Sequence, residues 1–109
     1  MDLSVPPHIT PFAFEDEVFA GDGVQVTCYV SRGDLPLSIT WTFNGVPISS
    51  ATSKQTGIVA SQSNSRTSIL SVESVSANHS GEYSCEASNR AATVEHVAVL
   101  MVNGTFLVV

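Results

Sequence analysis

Four residues constrain what this chain can fold into more than the rest of its sequence does. Cys28 and Cys85 are its two cysteines and lie 57 residues apart. Trp41 follows the first cysteine by 13 residues, and Tyr83 precedes the second by two. Taken singly, two cysteines are compatible with a pair of free buried thiols, and a tryptophan with an ordinary core aromatic. Together, in segments where apolar and polar residues alternate, the four residues point to a single fold.

Alternation predicts β-strands over much of the chain. Residues 24–30 alternate strictly, so that Cys28 and its neighbours two positions away fall on the face expected to be buried. Asn44-Gly45 predicts a hairpin turn, because both residues tolerate a positive φ. Residues 49–66 are rich in Ser, Thr and Gln, and only the short apolar segment 58–60 predicts a strand there. Further strands are expected at 39–43, 67–72, 83–87 and 93–102, and an edge strand at 8–14 that Pro11 interrupts.

The composition agrees with an all-β domain and excludes several functions. A chain of 109 residues has room for one domain. Sixteen serines and nine threonines, with only 13% charged residues, give a polar surface that carries little charge. The formal net charge of -6 has the wrong sign for binding nucleic acid or an anionic membrane. The longest apolar run, residues 97–102, is shorter than the roughly 20 residues that cross a bilayer.

The two cysteines and the tryptophan between them, with Tyr83 in phase, resemble the immunoglobulin pattern. The resemblance implies an all-β, immunoglobulin-like β-sandwich of the intermediate set, in which a Cys28–Cys85 disulfide joins two antiparallel sheets. A cross-link over this span removes entropy from the unfolded chain and stabilises the domain by about 4 kcal/mol. It also implies an oxidising, extracellular setting. The resemblance implies that the hallmark residues of this fold are Trp41, Tyr83, Gly81 and Leu70.

Three segments of the sequence resemble one particular group of immunoglobulin domains. Residues 5–14, 33–41 and 78–83 are similar to the alternatively spliced seventh immunoglobulin domain of arthropod Down syndrome cell adhesion molecules. They are equally similar to the first domain of the shortened chelicerate members. The resemblance implies an extracellular position, in the ectodomain of a single-pass membrane protein, with flanking immunoglobulin domains. The expected boundaries are 1–4 for linker or expression-derived residues, 5–102 for the immunoglobulin domain, and 103–109 for a C-terminal linker or vector-derived tail.

The resemblance also implies where recognition takes place. In this family the variable domain pairs with an identical copy, antiparallel about a twofold axis, through the sheet of strands A, B, E and D. The outward positions that alternation assigns to strands B and E are Gln25, Thr27, Tyr29, Thr67, Ile69, Ser71 and Glu73. Only the last is charged, and Tyr29 and Ile69 offer apolar anchors among small polar groups. We therefore expect isoform-specific homophilic binding. A structural spacer and a heterophilic receptor domain that uses the loops at one end stay open as alternatives.

One position departs from the family pattern. Relatives carry an acidic residue where this chain has His79, and that acid commonly pairs with a basic residue across the sheet end. Arg66, the candidate basic residue, is therefore expected to be unpaired or to bind another group. His79 is expected to be an exposed loop histidine without a role or, alternatively, a pH switch.

No catalytic, cofactor or metal site is expected, and the chain is not expected to be an enzyme. It lacks the G-x-S-x-G motif and a Gly-rich phosphate loop. His8, His79 and His96 do not have the spacing of zinc ligands. The acidic run 15–17 with Asp22 lacks the alternating oxygen ligands of a calcium loop, and it predicts a solvated turn.

Two N-glycosylation triplets are candidate modification sites. One begins at Asn78, on the turn before strand F, and the other at Asn103. The first lies away from the expected interface, so that a glycan there is compatible with pairing.

Overall fold

The structure, a computed structural model, describes residues 3–103, and within them the chain forms ten strands. In chain order the strands are β1 (His8–Thr10), β2 (Val18–Phe19), β3 (Val24–Arg32), β4 (Ser38–Phe43), β5 (Val46–Pro47), β6 (Ile58–Asn64), β7 (Thr67–Val72), β8 (Gly81–Ser88), β9 (Thr93–Leu100) and β10 (Val102–Asn103). The same range contains the short helix α1 (Ser53–Thr56) and the 3-10 turn Ala77–His79.

The strands form two antiparallel sheets that enclose one core. The first sheet has the order β1-β3-β7-β6 and the second the order β5-β4-β8-β9, while β2 and β10 form a short parallel pair. These orders correspond to strands A-B-E-D and C′-C-F-G of an immunoglobulin sandwich. The expected all-β fold is therefore confirmed.

Local sequence explains the β4–β5 hairpin. Asn44 and Gly45 both have positive φ, 49° and 83°, as the tight turn predicted there requires. The helix α1 was not expected in the serine-rich segment. It is a single turn of polar residues with no buried side chain, so it carries no periodic apolar pattern, and Gly57 ends it with a φ of 75°.

The predicted last strand, 93–102, is divided in the structure. β9 ends at Leu100, and after Met101 the chain forms β10, which pairs with β2 through Val102–Val18 and Asn103–Phe19. The apolar run alone gave no sign of this change of partner. Strand pairing thus extends to Asn103, one residue beyond the expected domain boundary.

Two links cross the core side by side. The disulfide joins the fully buried Cys28 on β3 to the fully buried Cys85 on β8, with 6.4 Å between their Cα atoms. Cys28 pairs in register with Ser68 on β7, and Cys85 pairs with Trp41 on β4. The indole Nε1–H of Trp41 donates a hydrogen bond to Ser68 Oγ at 2.9 Å. Each sheet therefore contributes one cysteine and one hydrogen-bonding partner to the same point in the core.

Replacing Ser68 with alanine is expected to lower the free energy of unfolding by about 1–3 kcal/mol, because the buried indole N–H of Trp41 then has no acceptor. Urea unfolding followed by tryptophan fluorescence measures this loss. Ser71→Ala, on the outward side of the same strand, is the matched control and should change stability by less than about 0.5 kcal/mol. Equal losses in the two variants would contradict the assigned role of the Trp41–Ser68 hydrogen bond.

Candidate functional site

The outward face of the first sheet carries the residues of the predicted interface in adjacent columns. Residues paired across neighbouring strands share a face. Three outward pairs join β3 to β7: Tyr29–Thr67, Thr27–Ile69 and Gln25–Ser71. The intervening residues point into the core, where Leu70 and Val72 are buried. Glu73 is exposed and lies one residue beyond the end of β7.

The two flanking strands extend this face with residues that sequence reasoning missed. On β6, Val59 pairs with Ser71 and Ser61 pairs with Ile69. On β1, Thr10 pairs with Tyr29. Alternation around Ile58, which is buried, contains a signal that Val59 points outward. Because the residues around Val59 are mostly polar, the sequence does not indicate which strand Val59 pairs with.

These nine outward residues are hereafter the uncharged face, because none of them is an aspartate, glutamate, lysine, arginine or histidine. They are Thr10, Gln25, Thr27, Tyr29, Val59, Ser61, Thr67, Ile69 and Ser71. Tyr29 and Val59 are the most exposed apolar anchors, at 44% and 46% of their full accessible areas. Ile69 is half-buried at the middle of the face, between Thr27 and Ser61. The result is a surface of apolar and hydroxyl-bearing side chains.

Charged residues lie at the ends of the uncharged face. Glu73 stands at one end, and Arg66 precedes β7 at the other. The Arg66 guanidinium donates hydrogen bonds to the carbonyl oxygens of Val30 (3.1 Å) and Gly33 (2.9 Å). Arg66 is therefore bound to the end of β3 rather than unpaired, and it lies at the opposite end of β7 from His79.

Grooves border the Glu73 end. One, of about 590 Å³, is lined by residues that include Phe14, Gln25, Ser71 and Glu73. A second, of about 510 Å³, lies on the other side of β7 against Val59. The face is thus recessed at this end, whereas the exposed ring of Tyr29 stands at the other.

His79 has a structural role in the turn before β8. Its Nδ1 accepts a hydrogen bond from the backbone N–H of Ser76 at 2.9 Å, and its Nε2–H donates to the carbonyl oxygen of Thr56 at 2.7 Å. In this pair of bonds Nε2 is the donor and Nδ1 the acceptor. His79 therefore links this turn to the end of α1, which corrects the expectation of a loop histidine without a role.

The hallmark residues before the second cysteine shape the same turn. The hydroxyl of Tyr83 donates a hydrogen bond to the carbonyl oxygen of His79 at 2.7 Å, the geometry of a tyrosine corner. Gly81 has a φ of 153°, and a Cβ there would lie 2.6 Å from the side chain of Asn44. A side chain at Gly81 would therefore have to displace the side chains of Asn44 and Phe43. Burial raises the pKa of Tyr83 to about 12.

The stabilising effect of neutral Tyr83 is expected to disappear at alkaline pH. The pKa is about 10 in the unfolded chain and about 12 in the folded one, so the protonated phenol favours folding fully below pH 10. That contribution is lost as the pH rises from about 10 to about 12. Urea unfolding across this range should show a steeper loss of stability for the native sequence than for Tyr83→Phe. Parallel pH profiles would contradict the assignment.

The two candidate glycosylation sites differ in position. Asn78 is exposed in the 3-10 turn at the end of the sandwich. Ser80, the third residue of its triplet, accepts a hydrogen bond at Oγ from the backbone N–H of Val102. Asn103 lies at the end of β10, and the rest of its triplet lies outside the described residues.

The acidic turn and the histidines hold no constellation that suggests a metal. Within residues 3–103 there is no group of three or more His, Cys, Asp or Glu side chains placed to hold a metal ion. The carboxylate of Asp22 accepts a hydrogen bond from the backbone N–H of Phe19 at 2.9 Å, so it shapes the turn between β2 and β3. In the same part of the chain, no helix has the length and apolarity to cross a membrane.

Similarity to known proteins agrees with this architecture. The immunoglobulin-domain family model matches residues 6–89. The chain is 41% identical over 104 residues to the cell adhesion molecule Dscam1 of Drosophila melanogaster, covering 94% of this chain and 5% of that protein. The crystal structure of the Dscam1 Ig7 domain, isoform 9, is 42% identical with a TM-score of 0.82, covering 90% of this chain and 100% of that one. This chain belongs to the Dscam family of immunoglobulin domains.

A second isoform supports the assignment of this Dscam-family domain. The crystal structure of the Dscam1 Ig7 domain, isoform 5, has a TM-score of 0.84 and 36% identity, over 90% of this chain and 97% of that one. The expected family is confirmed. The chain spans only 5%, or about one twentieth, of the length of the Drosophila Dscam1 protein.

Proposed function

We propose that this domain mediates homophilic cell recognition by pairing with an identical copy through the uncharged face. The observation that carries the proposal is the nine-residue surface without a charge, anchored by Tyr29, Ile69 and Val59, in a chain with a net charge of -6. Apolar anchors within a hydrogen-bonding rim are typical of protein interfaces.

Absence of charge matters more for self-pairing than for other binding. In a symmetric dimer the same patch is used by both copies, so a charged residue near the axis meets its own like charge. Burying such charges without a counter-ion costs several kcal/mol. The uncharged face avoids this penalty, and the chain's overall negative charge makes the attraction depend on local fit.

Antiparallel pairing also matches the shape of the face. With a twofold axis between the two sheets and perpendicular to the strands, residues of the middle row meet their own copies, and the two ends exchange places. Ile69 then contacts Ile69 of the second copy. The exposed ring of Tyr29 lies over Gln25 of that copy, beside the groove that Ser71 and Glu73 line. A protruding end therefore meets a recessed end twice in the dimer.

The relatives support the setting of this recognition. The Drosophila protein is named a cell adhesion molecule. We propose that this domain likewise lies outside the cell, in the ectodomain of a single-pass membrane protein with flanking immunoglobulin domains, and acts by binding rather than catalysis. Because every substitution on a twofold interface appears twice, small sequence differences would give isoform specificity.

Ile69→Asp is expected to weaken dimerisation by about 100-fold or more. Two isoleucines lose about 1.5 kcal/mol of burial each, and two unpaired carboxylates enter the interface. Sedimentation velocity from about 1 µM to about 500 µM measures the monomer–dimer equilibrium. Ser38→Asp is the matched control, because it adds the same charge at an exposed outward position of β4 in the second sheet.

Three outcomes separate the possible functions. A dimer that Ile69→Asp disrupts and Ser38→Asp preserves supports the proposal. A native chain that stays monomeric throughout the concentration range overturns self-pairing and favours the spacer or heterophilic alternative. A dimer that survives Ile69→Asp overturns the choice of face while leaving homophilic binding intact.

Asn78 is proposed as a glycosylation site that is compatible with this pairing. It lies in the turn beyond β7 and outside the uncharged face. When the chain is secreted from insect cells, enzymatic deglycosylation should reduce its mass, and Asn78→Gln should abolish that reduction while Asn103→Gln should not. The dimer dissociation constant of Asn78→Gln should stay within about twofold of the native value. An unchanged mass after deglycosylation would refute occupancy.

A further inference from the structure

The outward face of the second sheet has a different chemistry from the uncharged face. On β8, Tyr83 and Cys85 point into the core, so the alternate residues point outward. The register with β9 pairs these outward residues as Glu82–Val99, Ser84–Val97 and Glu86–Glu95. Carboxylates and apolar side chains therefore lie next to one another on neighbouring strands.

β9 and Met101, which follows it, present an exposed apolar row at the edge of the second sheet. Val97, Val99 and the following Met101 are 43%, 54% and 67% exposed. β9 is the last strand in the sheet order, so this row borders the sheet edge. Adjacent exposed apolar residues with a polar rim are typical of interaction surfaces.

Within the described part of the chain, the carboxylates beside this row form no ion pair with a basic side chain. Glu86 and Glu95 are directly opposite each other, an arrangement that destabilises an antiparallel pair. The structure gives Glu95 a single hydrogen bond, from the Ser84 hydroxyl at 3.0 Å. The outward residues of the neighbouring β4, Ser38, Thr40 and Thr42, are neutral. No ion pair involves Glu82, Glu86 or Glu95 within residues 3–103.

The negative charges of this face determine which kind of molecule it can bind. A second copy placed face to face would bring its own glutamates against these, and anionic surfaces would be repelled in the same way. Basic side chains would instead neutralise the opposed Glu86 and Glu95, while apolar side chains beside them would cover Val97 and Val99. We propose that this face, defined by Glu82, Glu86, Glu95, Val97, Val99 and Met101, binds a protein segment in which arginine or lysine alternates with apolar residues.

A capped eight-residue peptide of alternating arginine and valine is the probe. Fluorescence anisotropy at physiological salt should show binding to the native chain. The triple variant Glu82→Gln, Glu86→Gln, Glu95→Gln should weaken it at least about tenfold. The matched control Glu15→Gln, Asp16→Asn, Glu73→Gln removes three negative charges at exposed positions outside this face and should change it less than about twofold. Replacing Val97 and Val99 with serine should weaken binding about fivefold.

Amide chemical shifts of the ¹⁵N-labelled chain locate the peptide independently. Shifts concentrated on β8 and β9 support the proposal. Equal weakening by both charge variants means attraction to net charge alone and overturns it, as does an absence of binding or a set of shifts on β3 and β7. Because the face differs from the proposed homophilic one, this result does not depend on whether the domain dimerises.

Discussion

The disulfide and the Trp41–Ser68 hydrogen bond form one cross-sheet unit on which both surfaces of the domain depend. Cys28 and Cys85 occupy inner strands of the two sheets, and their side chains meet in the core. Because side chains alternate along a strand, an inward cysteine determines which neighbours point outward. On β3 the outward neighbours of Cys28 include Thr27 and Tyr29. The same constraint on β8 turns Ser84 and Glu86 outward.

The two outward faces of the domain differ in charge and polarity. The uncharged face is rich in hydroxyl groups and has apolar anchors at its centre and edge, which suits contact with its own copy. The opposite face places Glu86 against Glu95, a pair that resists self-contact and attracts basic groups. Under the two proposals made above, one surface of the sandwich contacts an identical molecule and the other a different partner, so that the two interactions do not compete.

Much of the fold was predictable because its signals are local. The alternation in 24–30 and 67–72, the Asn44-Gly45 turn and the spacing of the cysteines each depend on neighbouring residues or on a strong family pattern. The outward direction of Thr27 and Ile69 follows from the same alternation. By contrast, Val59 was overlooked because its importance arises from pairing with Ser71 on another strand. The end of β9 before Met101 was not predicted for the same reason, since it falls within an uninterrupted apolar run and depends on the pairing of β10 with β2.

The sequence by itself determined the class of fold, the strand that holds each cysteine and which side of that strand faces water, since these depend on composition and period-two alternation. Only the tertiary structure decided which outward residues become neighbours. It placed the His79 imidazole against the Thr56 carbonyl, bound Arg66 to the end of β3, and set Glu86 opposite Glu95. The physical reason is that register between strands is set by turn lengths and by packing across the core, which join residues far apart in the chain.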